Sequence, residues 1–166
     1  MKSLKIILAV DEEFGIGKDG GIPWSYPEDM KFFSKTTRTS TCVMGRHTYD
    51  SINKFSKGGS TLLPMRQCVV VSSTMEEVDN AKVVKKISEA IDIAEYENIF
   101  FIGGKQIYLD VLITLPNEIY VTLIPGSWDC DVIMDRFMSN VELFYKSEEV
   151  FPFEESELTY KKYTLV

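Results

Sequence analysis

The chain has 166 residues, with 18 Lys and Arg against 25 Asp and Glu, a net charge of -7, 45% hydrophobic residues and 12% aromatic ones. That length and apolar content suit one self-sufficient globular domain over residues 1–166 and exclude a disordered chain. The acidic balance excludes a nucleic-acid backbone or an anionic membrane surface as a partner, so any anionic ligand must meet a local cluster of cations.

The opening MKSLKIILAV holds an apolar run from Ile6 to Val10, broken upstream by Lys5 and followed at once by Asp11, Glu12 and Glu13. This is unlike a signal peptide or a membrane span, and the expectation is a cytoplasmic protein. Cys42, Cys68 and Cys130 are widely spaced and odd in number, which points to buried thiols and not to a disulfide framework. With His47 as the only histidine, a multi-histidine metal site is excluded and no metal is expected.

In chain order, LKIILAV, TCVMG, QCVVVSS, KVVK, NIFFIGG and EIYVTLI read as strands, several too continuously apolar to have a wet face. Between them PEDMKFFSKTT, RHTYDSINKF, ISEAIDIAEYE and KQIYLDVLITL read as helices. KFSKGGSTLLP, with Gly58 and Gly59, marks the most flexible loop, and VELFYKSEEVF and LTYKKYTLV, joined by an acidic turn, read as an antiparallel hairpin. The pattern predicts an α/β fold: a single domain with a mostly parallel central sheet flanked by helices, and a C-terminal antiparallel hairpin at one sheet edge.

Three stretches could carry chemistry. In IPWSYPEDMKFF, Ser25 and Glu28 have capping-box spacing and Pro27 suits a first helical turn, which gives Glu28 a structural task. A helix carries Asp29 about 100° round from Glu28, toward the side of Phe32 and Phe33. It either faces a pocket there or only complements the positive helix start, and residue type leaves both open.

In NIFFIGGKQIY, Gly103 and Gly104 end a strand and open a helix, where bare backbone can approach a phosphate, although a tight turn explains two glycines equally well. In VMGRHTYDSI, Arg46, His47 and Thr48 place a guanidinium, an imidazole and a hydroxyl at another helix start. They form either an anion site or a solvated surface group.

Taken together and in order, these motifs resemble the dihydrofolate reductase family from end to end. GIGKDGGIPW is similar to its mobile active-site loop, PEDMKFF to the helix with its catalytic acid, and VMGRHTYDSI to the unit that binds the adenosine side of NADPH. LPMRQCVVVSS, IGGKQIY and EIYVTLI follow at family spacing.

The resemblance implies an NADPH-dependent oxidoreductase that reduces dihydrofolate to tetrahydrofolate by hydride transfer to C6 and protonation of N5. It also implies a monomer that binds antifolates such as methotrexate. Asp29 would bond the pterin's 2-amino group and N3, Thr122 would bond the same carboxylate and the pterin, Trp24 would hold an ordered water, and Ile22 would cover the nicotinamide. Ile6, Ile7, Met30, Phe33, Ile52, Leu63 and Ile102 would wall the substrate pocket, bordered by Tyr108, with Arg66 gripping the glutamate carboxylate.

For the cofactor, Gly103 and Gly104 would lie against the pyrophosphate, joined by the family's cis peptide. Ile16, Ile22 and Tyr108 would border the nicotinamide, and Arg46, Thr48, Ser72 and Ser73 would serve the phosphates and ribose. His47 and Lys85 would be weaker neighbours, and Ile7, Gly45, Val71, Ile102, Lys105, Gln106 and Ile107 would complete the cofactor set.

Departures from the family pattern are Ile22 for Met or Leu, Lys105 and Gln106 after the glycines, Cys130 at a position often glycine, Lys5 at a commonly apolar position, and a longer loop from Asn53 to Pro64. Two alternatives share the fold: the reductase of riboflavin biosynthesis, which acts on a ribosylated pyrimidine, and a non-catalytic binding module. The first lacks the Pro-Trp, Pro-x-Asp and Leu-Pro-x-Arg set present here. The second could have lost its acid or its Gly-Gly turn, both retained here.

Overall fold

The computed structural model describes residues 1–55 and 62–166; Gly58 and Gly59, read above as part of the most flexible loop, lie outside the described residues. In chain order the elements are β1 (Ser3–Val10), β2 (Gly15–Gly17), α1 (Pro27–Thr37), β3 (Thr41–Gly45), α2 (Arg46–Phe55), β4 (Gln67–Val71), β5 (Lys82–Val84) and α3 (Ile87–Ile93). There follow β6 (Asn98–Phe101), α4 (Lys105–Leu112), β7 (Glu118–Leu123), β8 (Val132–Ile133), α5 (Asp135–Phe144), β9 (Tyr145–Val150) and β10 (Thr159–Leu165).

An eight-stranded sheet runs β5-β4-β3-β6-β1-β7-β10-β9. Every pairing from β5 to β7 is parallel, whereas β10 is antiparallel to both β7 and β9. This is the expected α/β architecture with its C-terminal hairpin.

The reason lies in the runs themselves. TCVMG and QCVVV have no polar alternation to leave a wet face, so helices must cover both sides. Successive strand residues point to opposite faces, which divides β1 between two cores. Ile6, Leu8 and Val10 pack with Ile107, Tyr108 and Val111 of α4 and Phe137, Met138 and Val141 of α5. Ile7 packs on the other side with Phe32 of α1 and Tyr49 of α2.

Two readings need correction. VELF belongs to α5, not to a strand; β9 begins only at Tyr145. Phe137, Met138 and Val141 recur at helical spacing and are buried against the sheet, so tertiary packing decided the state where local β propensity was ambiguous. Ile6, expected in the substrate wall, is fully buried in the α4–α5 core, on the face opposite Ile7.

Lys5, on the Ile7 face, pairs its Nζ with Glu118 Oε1 at 3.0 Å, while Lys162 takes Oε2 at 3.1 Å. Lys5 also lies 5.7 Å from the Phe100 ring centre. The stem therefore runs along the aromatic face and its charge is neutralised at the strand's start, away from the sheet end that carries Thr122.

Candidate active site

Pro27 opens α1, where its missing N–H leaves no lost bond. The expected capping box does not form: Tyr26 is the N-cap, no side chain caps the start, and Ser25 is exposed. Glu28 turns instead toward the C-terminal hairpin, its Oε1 accepting from the hydroxyls of Ser156 and Tyr160, the latter at 2.9 Å. One residue on, Asp29 points at β7, where Thr122 Oγ1 donates to Asp29 Oδ1 at 2.8 Å.

Burial pushes the Asp29 carboxyl above its ordinary value and the nearby Glu28 charge pushes the same way, against the opposing Thr122 hydrogen bond. An acid so held has one oxygen fixed by Thr122 and retains acceptor capacity for a ligand.

The apolar walls form on the same side. Ile7, Trp24 and Ile102 are buried in one cluster, with Phe33, Ile52 and Leu63 packed partly against it. Trp24 meets Trp128 edge to face at 6.2 Å. Met30 and Ile22 stand apart from that wall, at 67% and 65% exposure: the first lies on the outer side of α1, the second on the loop before Trp24.

Arg66 is fixed before any ligand arrives. Its Nε donates to Thr37 Oγ1 at 2.8 Å, Nη1 to the Pro64 carbonyl at 2.6 Å, and Nη2 to the Ser34 carbonyl and hydroxyl at 2.5 and 3.0 Å. These bonds tie the end of α1 to the start of β4, and a bidentate carboxylate must displace some of them.

At the carboxyl ends of β3 and β6 two helices begin side by side. Gly45 N–H donates to the Gly103 carbonyl at 2.8 Å, and the Gly103–Gly104 peptide is cis, as the resemblance implies. Gly103 has φ +117°, and a β-carbon there would lie 3.1 Å from the Tyr108 hydroxyl, which itself donates to the Ile7 carbonyl at 2.8 Å. A β-carbon on Gly45 would lie 3.5 Å from Ile107, and one on Gly104 would be 4.0 Å from Thr48 Oγ1.

The α4 start has no side-chain cap, and Lys105 there is exposed, as are Arg46 and His47 at the α2 start. Such a bare cradle between helix starts, flanked by cations, fits a pyrophosphate.

The remaining cofactor candidates sort by their surroundings. Ile16 and Val71 pack partly against the α4–α5 core. Ser72 Oγ accepts from the N–H groups of Thr74 and Met75 and closes its own turn, whereas Ser73 and Lys85 are exposed. Gln106 donates to Asp110, and Arg46 lies only loosely, at 3.9 Å, from Asp50.

Sequence reasoning missed the anchor of the loop. Asp11 Oδ1 accepts from the N–H groups of Glu13 and Gly15 at 2.9 and 2.8 Å, and Oδ2 from Trp128 N–H at 3.0 Å, with Cys130 Sγ 3.6 Å away. Burial would raise this carboxyl, but the hydrogen bonds from Gly15, Trp128, Glu13 and Cys130 together bring it below its ordinary value, so it is ionised at neutral pH. β2 pairs with β8, and Asp131 Oδ2 accepts from Asp19 N–H at 3.0 Å. An acid directly after a buried strand was the available signal.

Comparison with known proteins agrees with this crevice. The family model described as dihydrofolate reductase matches residues 3–164. The dihydrofolate reductase of Buchnera aphidicola subsp. Acyrthosiphon pisum is 34% identical over 143 residues, covering 86% of this chain and 82% of its own length. Dihydrofolate reductase type 9 of Escherichia coli is 35% identical over 145 residues, covering 81% of this chain and 77% of its own. A solved dihydrofolate reductase from Enterococcus faecalis, complexed with NADP(H) and RAB-propyl, superposes with a TM-score of 0.74 at 26% identity, covering 98% of this chain and 96% of that one. With the family's motifs in order and its fold around a half-buried acid and a glycine cradle, the chain belongs to the dihydrofolate reductase family and is an oxidoreductase acting on dihydrofolate.

Proposed function

We propose that the chain takes NADPH and dihydrofolate into this crevice and forms tetrahydrofolate there, with Asp29 as the acid that orients the pterin. The observation that carries the reading is the half-buried Asp29 carboxyl, held by Thr122 on the same side as the apolar cluster of Ile7, Trp24, Phe33 and Ile102. A flat heterocycle with an amino group and a ring N–H matches that combination of apolar walls and one acceptor pair.

Each group has a task in the reading. Asp29 accepts from the pterin's 2-amino group and N3, and Thr122 keeps the carboxylate in one rotamer. NADPH, when bound, supplies the hydride that reaches C6. Gly45, Gly103 and Gly104 leave backbone room for its pyrophosphate, Thr48 offers a hydroxyl, and Arg46 with Lys105 balances the phosphate charge. Trp24 narrows access to the pterin edge, so that one ordered water, and not bulk solvent, carries the proton to N5. The acid sits at the far edge of the ring, where it orients and polarises the pterin, and the proton itself comes from water. The same reading has the protein working as a cytoplasmic monomer.

Steady-state turnover tests it. The purified chain oxidises NADPH when dihydrofolate is added, one equivalent per tetrahydrofolate formed. NADPH oxidation on a ribosylated pyrimidine but not on dihydrofolate would assign it to the other reductase.

Arg66 separates substrate from cofactor. Arg66→Leu loses the charged hydrogen bonds to the glutamate tail, each worth ~1.5–3 kcal/mol. Equilibrium titration should show dihydrofolate and methotrexate bound about 10- to 100-fold more weakly, with NADPH affinity nearly unchanged. An equal loss of both ligands would move Arg66 out of the substrate site.

A further inference from the structure

Glu28 is absorbed neither by the capping box expected from its spacing nor by the reaction described above. Its carboxylate oxygen Oε1 accepts from the Tyr160 hydroxyl at 2.9 Å and from the Ser156 hydroxyl. Tyr160 and Thr122 are register partners across the antiparallel β10–β7 pair, so the two side chains leave the same sheet face side by side. Two consecutive acids of the first turn of α1 thus meet two neighbouring hydroxyls on adjacent strands: Glu28 on Tyr160, Asp29 on Thr122.

The Thr122 bond fixes one point of the helix start, while Phe32 holds the following turn against the core. Adjacent helical residues diverge by about 100°, so the bond from Glu28 fixes a second point of that start. The Tyr160 ring is buried and stands 4.4 Å from the Phe32 ring centre, so the hydroxyl that Glu28 meets belongs to a side chain already immobilised against the same helix.

We propose that Glu28 is a positioning residue for dihydrofolate reduction, clamping the first turn of α1 to Tyr160 and Ser156 so that Asp29 is presented to the pterin edge at a fixed angle. The inference rests on the proposed role of Asp29.

The charge of Glu28 has a second consequence, because it stands beside Asp29. The groups facing this pair are Thr122 from β7, Tyr160 from β10 and Ser156 from the β9–β10 connection, whose acids Glu154 and Glu157 line the same small cavity as Ser156 and Tyr160. Tyr108 of α4 also feels the Asp29 charge. Glu28 disfavours ionisation of Asp29, so removing its charge lets Asp29 ionise at lower pH.

The test uses the full chain and three variants, with kcat/KM for dihydrofolate measured across pH, NADPH affinity, and thermal melting. Glu28→Ala removes both clamp and charge; Glu28→Gln keeps an acceptor for Tyr160 and Ser156 but not the charge; Tyr160→Phe keeps the ring and the charge but removes one of the two donors. Glu28→Ala should lose about tenfold in kcat/KM, below the ~10²-fold that a 1 Å misplacement can cost, with NADPH affinity within about twofold of wild type. Glu28→Gln should keep the acid-side activity within about twofold while its profile moves to lower pH, and Tyr160→Phe should lose activity without that displacement.

If Glu28→Ala and Glu28→Gln both kept the wild-type kcat/KM and pH profile, the clamp would be refuted while dihydrofolate turnover by the wild type stood. Equal loss of NADPH and dihydrofolate binding in Glu28→Ala, with a lower melting temperature, would reduce Glu28 to a folding contact. A wild-type chain without dihydrofolate turnover would overturn the activity itself and the clamp with it.

Discussion

Asp29→Asn loses about 10²-fold or more of kcat/KM for dihydrofolate at neutral pH and recovers part of it as the pH falls. In the proposed role the carboxylate would accept from two pterin donors and favour a protonated ring; a carboxamide would offer one acceptor and an N–H that repels the pterin's own donors. Loss of a positioned proton-handling group costs ~10²–10⁴-fold. At low pH more of the substrate is protonated in solution, so the variant gains relative to wild type.

The stability of this variant moves the other way. Because the folded-state pKa of Asp29 is raised, the folded protein binds more protons than the unfolded chain in the acid range. Stability contributed by the carboxyl is therefore greatest below its unfolded pKa and falls as pH rises through the raised folded value. At neutral pH the partly desolvated charge is a net cost that asparagine removes while its Oδ1 still accepts from Thr122. Asp29→Asn should melt at or above the wild-type temperature at pH 7, with NADPH affinity retained. Wild-type kcat/KM at neutral pH in a folded Asp29→Asn would remove Asp29 from the mechanism.

Gly15→Ala carries the second large effect, at the base of the loop that leads to Trp24. A β-carbon at Gly15 would fall 2.4 Å from Cys130 Cβ and 2.6 Å from its Sγ, and 3.1 Å from Asp11 Oδ1. Part of the obstacle is backbone-fixed, so β2 and β8 must separate. Overpacking of this kind costs ~1–3 kcal/mol, and here it also disturbs Gly15 N–H to Asp11 and the seat of Trp128 against Trp24.

The expected result is reduced denaturant stability with a lower kcat. Cys130→Gly in the same chain opens the space and should restore most of both, less ~0.5–1 kcal/mol for the added backbone freedom of glycine. A double-mutant cycle measures the coupling directly: additive effects of the two substitutions would contradict the contact.

What could be read from residues alone follows from how local each signal is. PEDMKFFSKTT matches α1 and RHTYDSINKF matches α2 because Pro27 and the apolar spacing act within a few turns. The parallel order was visible in runs such as QCVVV that leave no wet face. α5 was not read as a helix at all, and its last turn, VELF, was given to a strand, because its burial depends on β1, β7 and α4, which lie far away in sequence.

The site shows the same division. Asp29, Trp24 and Thr122 were named through the resemblance, since no local rule separates a functional acid from one that complements a helix start. Glu28 was assigned to Ser25 because capping-box spacing is a local rule. The winning partners, Ser156 and Tyr160, are 128 and 132 residues distant, and only the β10–β7 register brings Tyr160 beside Thr122. Ile6 was misplaced for a related reason: one strand residue is the whole difference between the two faces.

The most direct test of the central claim is a titration of the wild-type chain and Asp29→Asn with methotrexate in the presence of NADPH, followed by tryptophan fluorescence, since Trp24 lies in the substrate-side cluster. The account predicts tight, one-to-one binding by the wild type and binding weakened by about 10²-fold or more in Asp29→Asn, with the NADPH step alike in both. Equal methotrexate binding by the two proteins, or none by the wild type while NADPH still binds, would contradict it.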